Sequence, residues 1–142
     1  MKSTILALIS VFAAANDVVT ISAANWDREG KKGDIFILFV NDHCRECRRE
    51  AGQLAKLADL VETRIGRVDC HFERQLCEKF NAFRPPHYLY LKDKKVYEYE
   101  GPLDAIQMSD FLSNYENHMV SDNLNSWFEK ETPIAPGTEF TV

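Results

Sequence analysis

The sequence predicts an α/β fold with one central mixed sheet flanked by helices, and three observations carry that expectation. Apolar runs of strand length alternate with stretches of helical periodicity along most of the chain. Residues 35–40 are apolar at every position, which is what a strand covered on both faces requires. Residues 88–91 and 96–99 are rich in tyrosine and are separated only by Lys92-Asp93-Lys94-Lys95, the spacing of a hairpin. Strands separated by helices imply parallel pairing through right-handed crossovers, and the hairpin adds an antiparallel edge. With 142 residues, 45% of them hydrophobic, the chain suffices for one domain with a core.

The first residues are expected to lie outside that fold. Lys2, the apolar run from Ile5 to Phe12, and the small residues Ala13, Ala14 and Ala15 form the pattern of a secretory signal cleaved after Ala15. The other reading is an uncleaved anchor, but the run is short for a bilayer span. The expected organisation is a signal peptide over 1–15, a domain over 16–120 and a tail over 121–142. No membrane span is expected in the mature chain.

Within the domain, Val18, Val19 and Ile21 read as a short strand, and 23–29 as one or two helical turns before Gly33-Asp34 breaks the chain. After strand 35–40, Ala51, Leu54, Ala55, Leu57, Ala58 and Val61 recur at helical spacing from Cys47 onward. A second buried strand is expected at 65–69. A short helix follows at 73–80, with Asn81 suited to its C-terminal end. Pro85-Pro86 punctuates before the hairpin, and Gly101-Pro102 closes it. Asp104 then caps a last helix with Ile106, Met108, Phe111, Leu112 and Tyr115 at its apolar positions. Beyond about Val120 the pattern decays, leaving an isolated Trp127-Phe128 and two prolines, Pro133 and Pro136.

Charge narrows the function. The net charge is −5 and no basic stripe is present, which argues against nucleic acid and against an anionic membrane surface as partners. Four cysteines, Cys44, Cys47, Cys70 and Cys77, all lie past the signal, and an even number in an exported chain suggests disulfides. Cys44-Arg45-Glu46-Cys47 follows the central strand and opens a helix, the context of a redox motif. At i and i+3 the two sulfurs share one face of the first turn. The helix N-terminus favours thiolate at the first of them, so Cys44 is the expected nucleophile and Cys47 the expected resolving thiol. Two other uses of the pair stay open: an inert bridge, or half of a zinc site. Zinc needs four ligands, and neither the seven-residue separation of Cys70 and Cys77 nor the placement of His71 and His87 matches a standard spacing. No metal and no cofactor are expected.

These residues together resemble a thioredoxin domain of the protein disulfide isomerase family, over roughly residues 18–115. Val68-Asp69-Cys70 with Cys77 is similar to the end of the third strand in those domains, where the equivalent cysteines form a non-catalytic disulfide. Arg84-Pro85-Pro86-His87 is similar to the loop carrying the fold's cis-proline, which would be Pro86. The resemblance implies that this loop, with Pro85, Pro86 and His43, meets the substrate backbone, and that substrates are cysteine-containing polypeptides. Pro85 has no N–H to offer such a backbone, so weaker peptide binding is expected. The Gly-Pro segment and Ser126-Trp127-Phe128 resemble the membrane-anchored thioredoxin-related proteins most.

The departures matter as much. His43 stands where the family has tryptophan, and either favours the thiolate when charged or is simply solvated. Arg45-Glu46 replaces Gly-His, and Gly52 replaces a proline. The family's buried strand acid, which moves protons for the inner cysteine, is matched by Leu38, and its mobile arginine by Leu103. Glu46 is expected to point to solvent. The expected function is thiol–disulfide exchange in the endoplasmic reticulum lumen or after secretion, slow in multi-turnover oxidation. A chaperone or adaptor module with little turnover is the alternative, and a factor held by two structural disulfides is a third. Oligomeric state is not written in the sequence.

Overall fold

A computed structural model describes residues 17–128. The expected signal peptide and the stretch beyond 128 therefore lie outside the described residues. The elements run β1 (Val18–Thr20), α1 (Trp26–Gly30), β2 (Ile35–Val40), a 3-10 turn (Glu46–Arg49), α2 (Glu50–Leu60), β3 (Arg64–Asp69), α3 (Arg74–Lys79), β4 (His87–Lys92), β5 (Lys95–Tyr99), α4 (Ala105–Ser113), a second 3-10 turn (Tyr115–His118), β6 (Met119–Ser121) and α5 (Leu124–Phe128). The six strands form one sheet in the order β1-β3-β2-β4-β5-β6. β1, β3 and β2 are parallel, while β4, β5 and β6 each run antiparallel to the preceding neighbour in the sheet.

Strand β2 lies inside the sheet and is buried throughout. Its side chains alternate between two cores, as the two-residue period of a strand demands. Phe36, Leu38 and Val40 face a cluster with Cys47, Leu54, Leu57 and Met108, beneath α2 and α4. Ile35, Ile37 and Phe39 face a second cluster with Trp26, Leu76, Cys77 and Phe80, beneath α1 and α3. The strand tyrosines Tyr88, Tyr90, Tyr97 and Tyr99 all fall on the first face and pack against one another, Phe36 and Phe111. They are strand packing and present no open aromatic surface.

Local chemistry sets the ends of the elements. Asp93 and Lys94 both have positive φ, 52° and 63°, so the β4–β5 hairpin closes with a two-residue turn of the primed type. Asp104 caps α4 by accepting from the Gln107 N–H at 3.0 Å. Asn81, with φ 60°, ends α3 in the left-handed conformation expected of it. Glu29, buried on α1, is held by Arg64 at 2.7 Å and Lys32 at 3.1 Å, which ties α1 to the start of β3. Cys70 and Cys77 are joined, with Cα atoms 5.7 Å apart, linking the end of β3 to α3.

The chain differs from the sequence reading after residue 118. β6 straddles the expected domain end at 120 and adds to the edge of the sheet, and the stretch read as a tail from 121 then lays α5 over the second core. The cause is incomplete cover: α1 and α3 are only five and six residues long, too short to roof that face. Trp127 closes it, 8% exposed, and its indole N–H donates to the Phe80 carbonyl at 2.9 Å, satisfying an acceptor freed where α3 ends. The Asn81 amide donates to the Trp127 carbonyl, and Phe128 stacks edge-on against Phe80. Among the described residues no helix is long and apolar enough to cross a membrane.

Replacing Trp127 by Ala removes this cover, and unfolding in urea is expected to show a loss of about 3 kcal/mol. A loss below about 0.5 kcal/mol would mean that α5 is not part of the folded unit.

Candidate active site

β2 ends at Val40 and delivers the chain to the turn holding Cys44 and Cys47. Cys44 is half-buried, whereas Cys47 is 6% exposed and belongs to the first core. The two are joined, with Cα atoms 5.2 Å apart. The turn differs from the expected α-helical start: residues Glu46–Arg49 form a 3-10 turn, and the α-helix begins only at Glu50. Cys44 precedes that turn, and the Cys47 N–H reaches back to the Cys44 carbonyl at 3.2 Å, an i to i+3 bond that brings the two cysteines together. The Cys47 N–H points at Cys44 Sγ across 3.1 Å. That donor belongs to the 3-10 turn and not to the N-terminus of an α-helix, which was the source expected from the sequence.

A cleft of about 410 Å³ opens beside the pair, lined among others by Asp42, Cys44, Cys47, Glu50, Arg67 and Asp69. His43 is almost fully exposed, 3.7 Å from Asp42, and His71 approaches the same carboxylate at 3.6 Å. Arg45, Arg48 and Arg49 are exposed. The Pro85–Pro86 bond is cis. Because Phe39 pairs with His87 in the β2–β4 register, the two prolines leave the sheet at the end of β2 from which the Cys44 turn also departs. Leu38 and Leu103 are both fully buried. Among the described residues there is no cluster of His, Cys, Asp and Glu suited to a metal ion.

Glu46 overturns its expectation. It does not point to solvent: its carboxylate accepts the Leu103 N–H at 2.9 Å. Gln53 accepts the Ala105 N–H at 2.8 Å, so two side chains from the cysteine turn and α2 hold the loop entering α4. The reason lies in the start of α4, where the Leu103 and Ala105 N–H groups have no preceding helical carbonyl to bond. The same loop needs glycine at 101, where a Cβ would sit 2.6 Å from the Tyr99 hydroxyl. Tyr99 donates to the Pro102 carbonyl at 2.7 Å. Burial, helped by Asp104 and Glu46, pushes its phenol up to about 12. Burial also raises the Tyr88 phenol, with the Glu46 charge adding to it.

Two further residues carry no motif and were missed. Arg67 on β3 donates from Nε to Glu50 on the first turn of α2. An arginine between Ile65-Gly66 and Val68 in the middle of the strand was the available signal, since such a charge needs a partner.

His87, directly after the prolines, gives the site a measurable pH response. Burial holds its imidazole below the ordinary 6.5, against a smaller upward pull from Glu100. Its Nε2 is buried without a hydrogen-bond partner among the described residues. Above about pH 6.5 the imidazole is neutral whether folded or not and contributes no pH dependence. Below it the unfolded chain takes up a proton that the folded one refuses, so stability falls as pH falls. Urea unfolding from pH 7.5 to 5 should show His87→Leu losing less stability than the wild type, by up to about 1.4 kcal/mol per pH unit. Parallel curves would contradict the buried neutral imidazole.

Comparison with known proteins agrees with this geometry. The chain is 28% identical over 116 residues to human "Thioredoxin-related transmembrane protein 1", covering 80% of this chain and 41% of that protein. It is 25% identical over 123 residues to "Probable protein disulfide-isomerase A6" of Medicago sativa, covering 80% of this chain and 33% of that protein. The J-Trx1 fragment of ERdj5 superposes with a TM-score of 0.62 at 21% identity, over 68% of this chain and 50% of the fragment, a likeness of fold. The chain spans under half the length of the curated relatives it matches, from 13% to 41%. The thioredoxin family description matches residues 17–114, from β1 to the end of α4. The parallel-then-antiparallel sheet, the Cys-x-x-Cys turn at the end of its central strand and this match together make the chain a member of the thioredoxin family, with relatives among the disulfide isomerases.

Proposed function

We propose that this chain exchanges thiols and disulfides with cysteine-containing polypeptides, Cys44 attacking and Cys47 resolving. The asymmetry of the pair carries the reading: Cys44 is half-buried beside an open cleft, Cys47 is buried, and the Cys47 N–H is directed at Cys44 Sγ. With the pair reduced, the Cys44 thiolate attacks a substrate disulfide and forms a mixed disulfide, releasing one substrate thiolate. Cys47 then attacks Cys44 Sγ and the second substrate thiolate leaves. In the opposite direction a substrate thiolate attacks Cys44 of the closed pair and Cys47 leaves as thiolate. Electrons pass only between sulfurs, so the chemistry calls for no cofactor.

Closing the 44–47 bond needs Cys47 to lose a proton inside the first core, where a thiolate is costly. Leu38 and Leu103 stand where the family places an acid and an arginine to help that step, and both are buried apolar packing. Multi-turnover oxidation is therefore slow, while single exchanges at Cys44 remain. The same two leucines favour the second reading, a binding module that forms mixed disulfides rarely. The apolar run ahead of Ala13, Ala14 and Ala15, together with two formed disulfides, supports action in the secretory pathway, in the endoplasmic reticulum lumen or after secretion.

In non-reducing gels Cys47→Ser is expected to accumulate mixed disulfides with a reduced and partly oxidised test protein, and Cys44→Ser none. The absence of any adduct with Cys47→Ser would favour the binding module. In steady-state oxidative refolding in a glutathione buffer, the wild type should run about 10-fold or more below a disulfide isomerase domain, the order of one lost acid–base aid. Equal turnover would overturn the slow-closing part of the reading. Expressed with its native N-terminus in a secreting host, the chain should begin at Asn16 by mass spectrometry, and an intact Met1 on exported protein would rule out cleavage after Ala15.

A further inference from the structure

Arg67 lies directly across from Leu38 in the β2–β3 register, so the position facing it on the central strand offers no carboxylate. The guanidinium instead takes its partner from α2: Nε donates to Glu50 Oε1, while Nη2 stands 3.8 Å from Asp69. The Glu50 side chain is only 15% exposed. Its second oxygen, Oε2, is buried and has no hydrogen-bond partner among the described residues. Glu50 follows Cys47 by three residues and lines the same cleft as Cys44 and Cys47. A buried carboxylate oxygen left without a donor is costly, and a proton taken from a neighbouring thiol would relieve it.

Resting on the exchange reaction above, we propose that Glu50 is the proton carrier for Cys47 and that Arg67 is the residue that positions it. In the closing step the mixed disulfide joins Cys44 Sγ to a substrate sulfur. Glu50 Oε2 takes the proton from the Cys47 thiol, and the Cys47 sulfur attacks Cys44 Sγ with its freed electron pair. The bond from Cys44 to the substrate breaks, and its electrons leave on the substrate sulfur, which takes a proton from water. The cysteine pair is oxidised, the substrate disulfide is reduced and is itself the oxidant, and Glu50 returns its proton to water in the cleft. In the opening step Glu50 takes a proton from water in the cleft and delivers it to the Cys47 sulfur as that sulfur leaves. The other charged groups lining the cleft are Asp42 from the loop after β2, Arg48 from the 3-10 turn, and Arg67 and Asp69 from β3. Arg67 engages Glu50 Oε1, which leaves Oε2 as the oxygen that faces no donor and can take the proton.

The test separates the two halves of one turnover. Reduced protein is mixed with glutathione disulfide, and glutathionylation of Cys44 is followed in the Cys47→Ser background. Closing of the 44–47 bond is followed by rapid acid quench and mass spectrometry with both cysteines present. Glu50→Gln is expected to slow closing about 10-fold or more at pH 7. Glutathionylation of Cys44 should stay within about 2-fold, and the closing deficit should shrink as pH rises, because hydroxide increasingly takes the Cys47 proton in place of Glu50. Should Glu50→Gln fail to fold, Glu50→Asp keeps the charge but withdraws the carboxylate by one methylene, and the same selective slowing is expected. Closing at the wild-type rate in either folded variant overturns the assignment of Glu50 while leaving disulfide exchange intact. A deficit equal in both steps and flat with pH also overturns it, because that marks a purely structural residue. If wild-type Cys44 does not react with glutathione disulfide at all, the exchange reading and this inference fall together.

Discussion

Strand β2 is covered on both faces, and most of the molecule follows from that cover. Its six residues must all be apolar, because each side chain enters one of two dry clusters. One face obliges α2 and α4 to pack above it, and the other obliges α1, α3 and finally α5 to pack below. The strand ends where that cover ends, and the cysteine turn sits at this boundary. Cys44 remains half-buried beside the cleft, while Cys47, three residues on, is already part of the core.

The same constraint shapes the chemistry. An acid at position 38 would lie between two strands under α2 and would need a buried partner to be tolerated. With Leu38 opposite it, Arg67 takes its carboxylate from Glu50 on the helix, so the ion pair lies with its anion on the cleft side. Glu46 and Gln53 complete the frame by accepting N–H groups from the loop that enters α4. The turn that carries the disulfide is thus tied to β3 through Glu50 and to the last helix through Glu46. Around the cysteine turn, His43 stands in solvent with a long contact to Asp42, and Arg45, Arg48 and Arg49 are exposed with it.

The fold was largely legible because its strands and helices obey simple periods. The unbroken apolar run at 35–40 marked the central strand, the four-residue charged turn marked the hairpin, and Asp104 marked the start of α4. The contribution of Trp127 was not legible. A lone Trp-Phe pair in polar sequence has no period, and its place depends on how short α1 and α3 are in three dimensions. The site divided in the same way. The Cys-x-x-Cys motif is local and could be read, whereas Glu46, Gln53, Glu50 and Arg67 act across separations of 17 to 57 residues.

By itself, the sequence determined the sheet's central strand, the order of elements from β1 to α4 and the cysteine pair, because each depends on neighbours within one turn or one strand. Only the tertiary structure decided where the charges went. Whether Glu46 meets solvent or the Leu103 N–H, and whether Arg67 finds its anion on β2 or on α2, depends on which chain segments are brought within hydrogen-bond reach. That is set by helix packing on the two faces of the sheet. The cost of burying an unpaired charge then selects the partner from whatever that packing supplies.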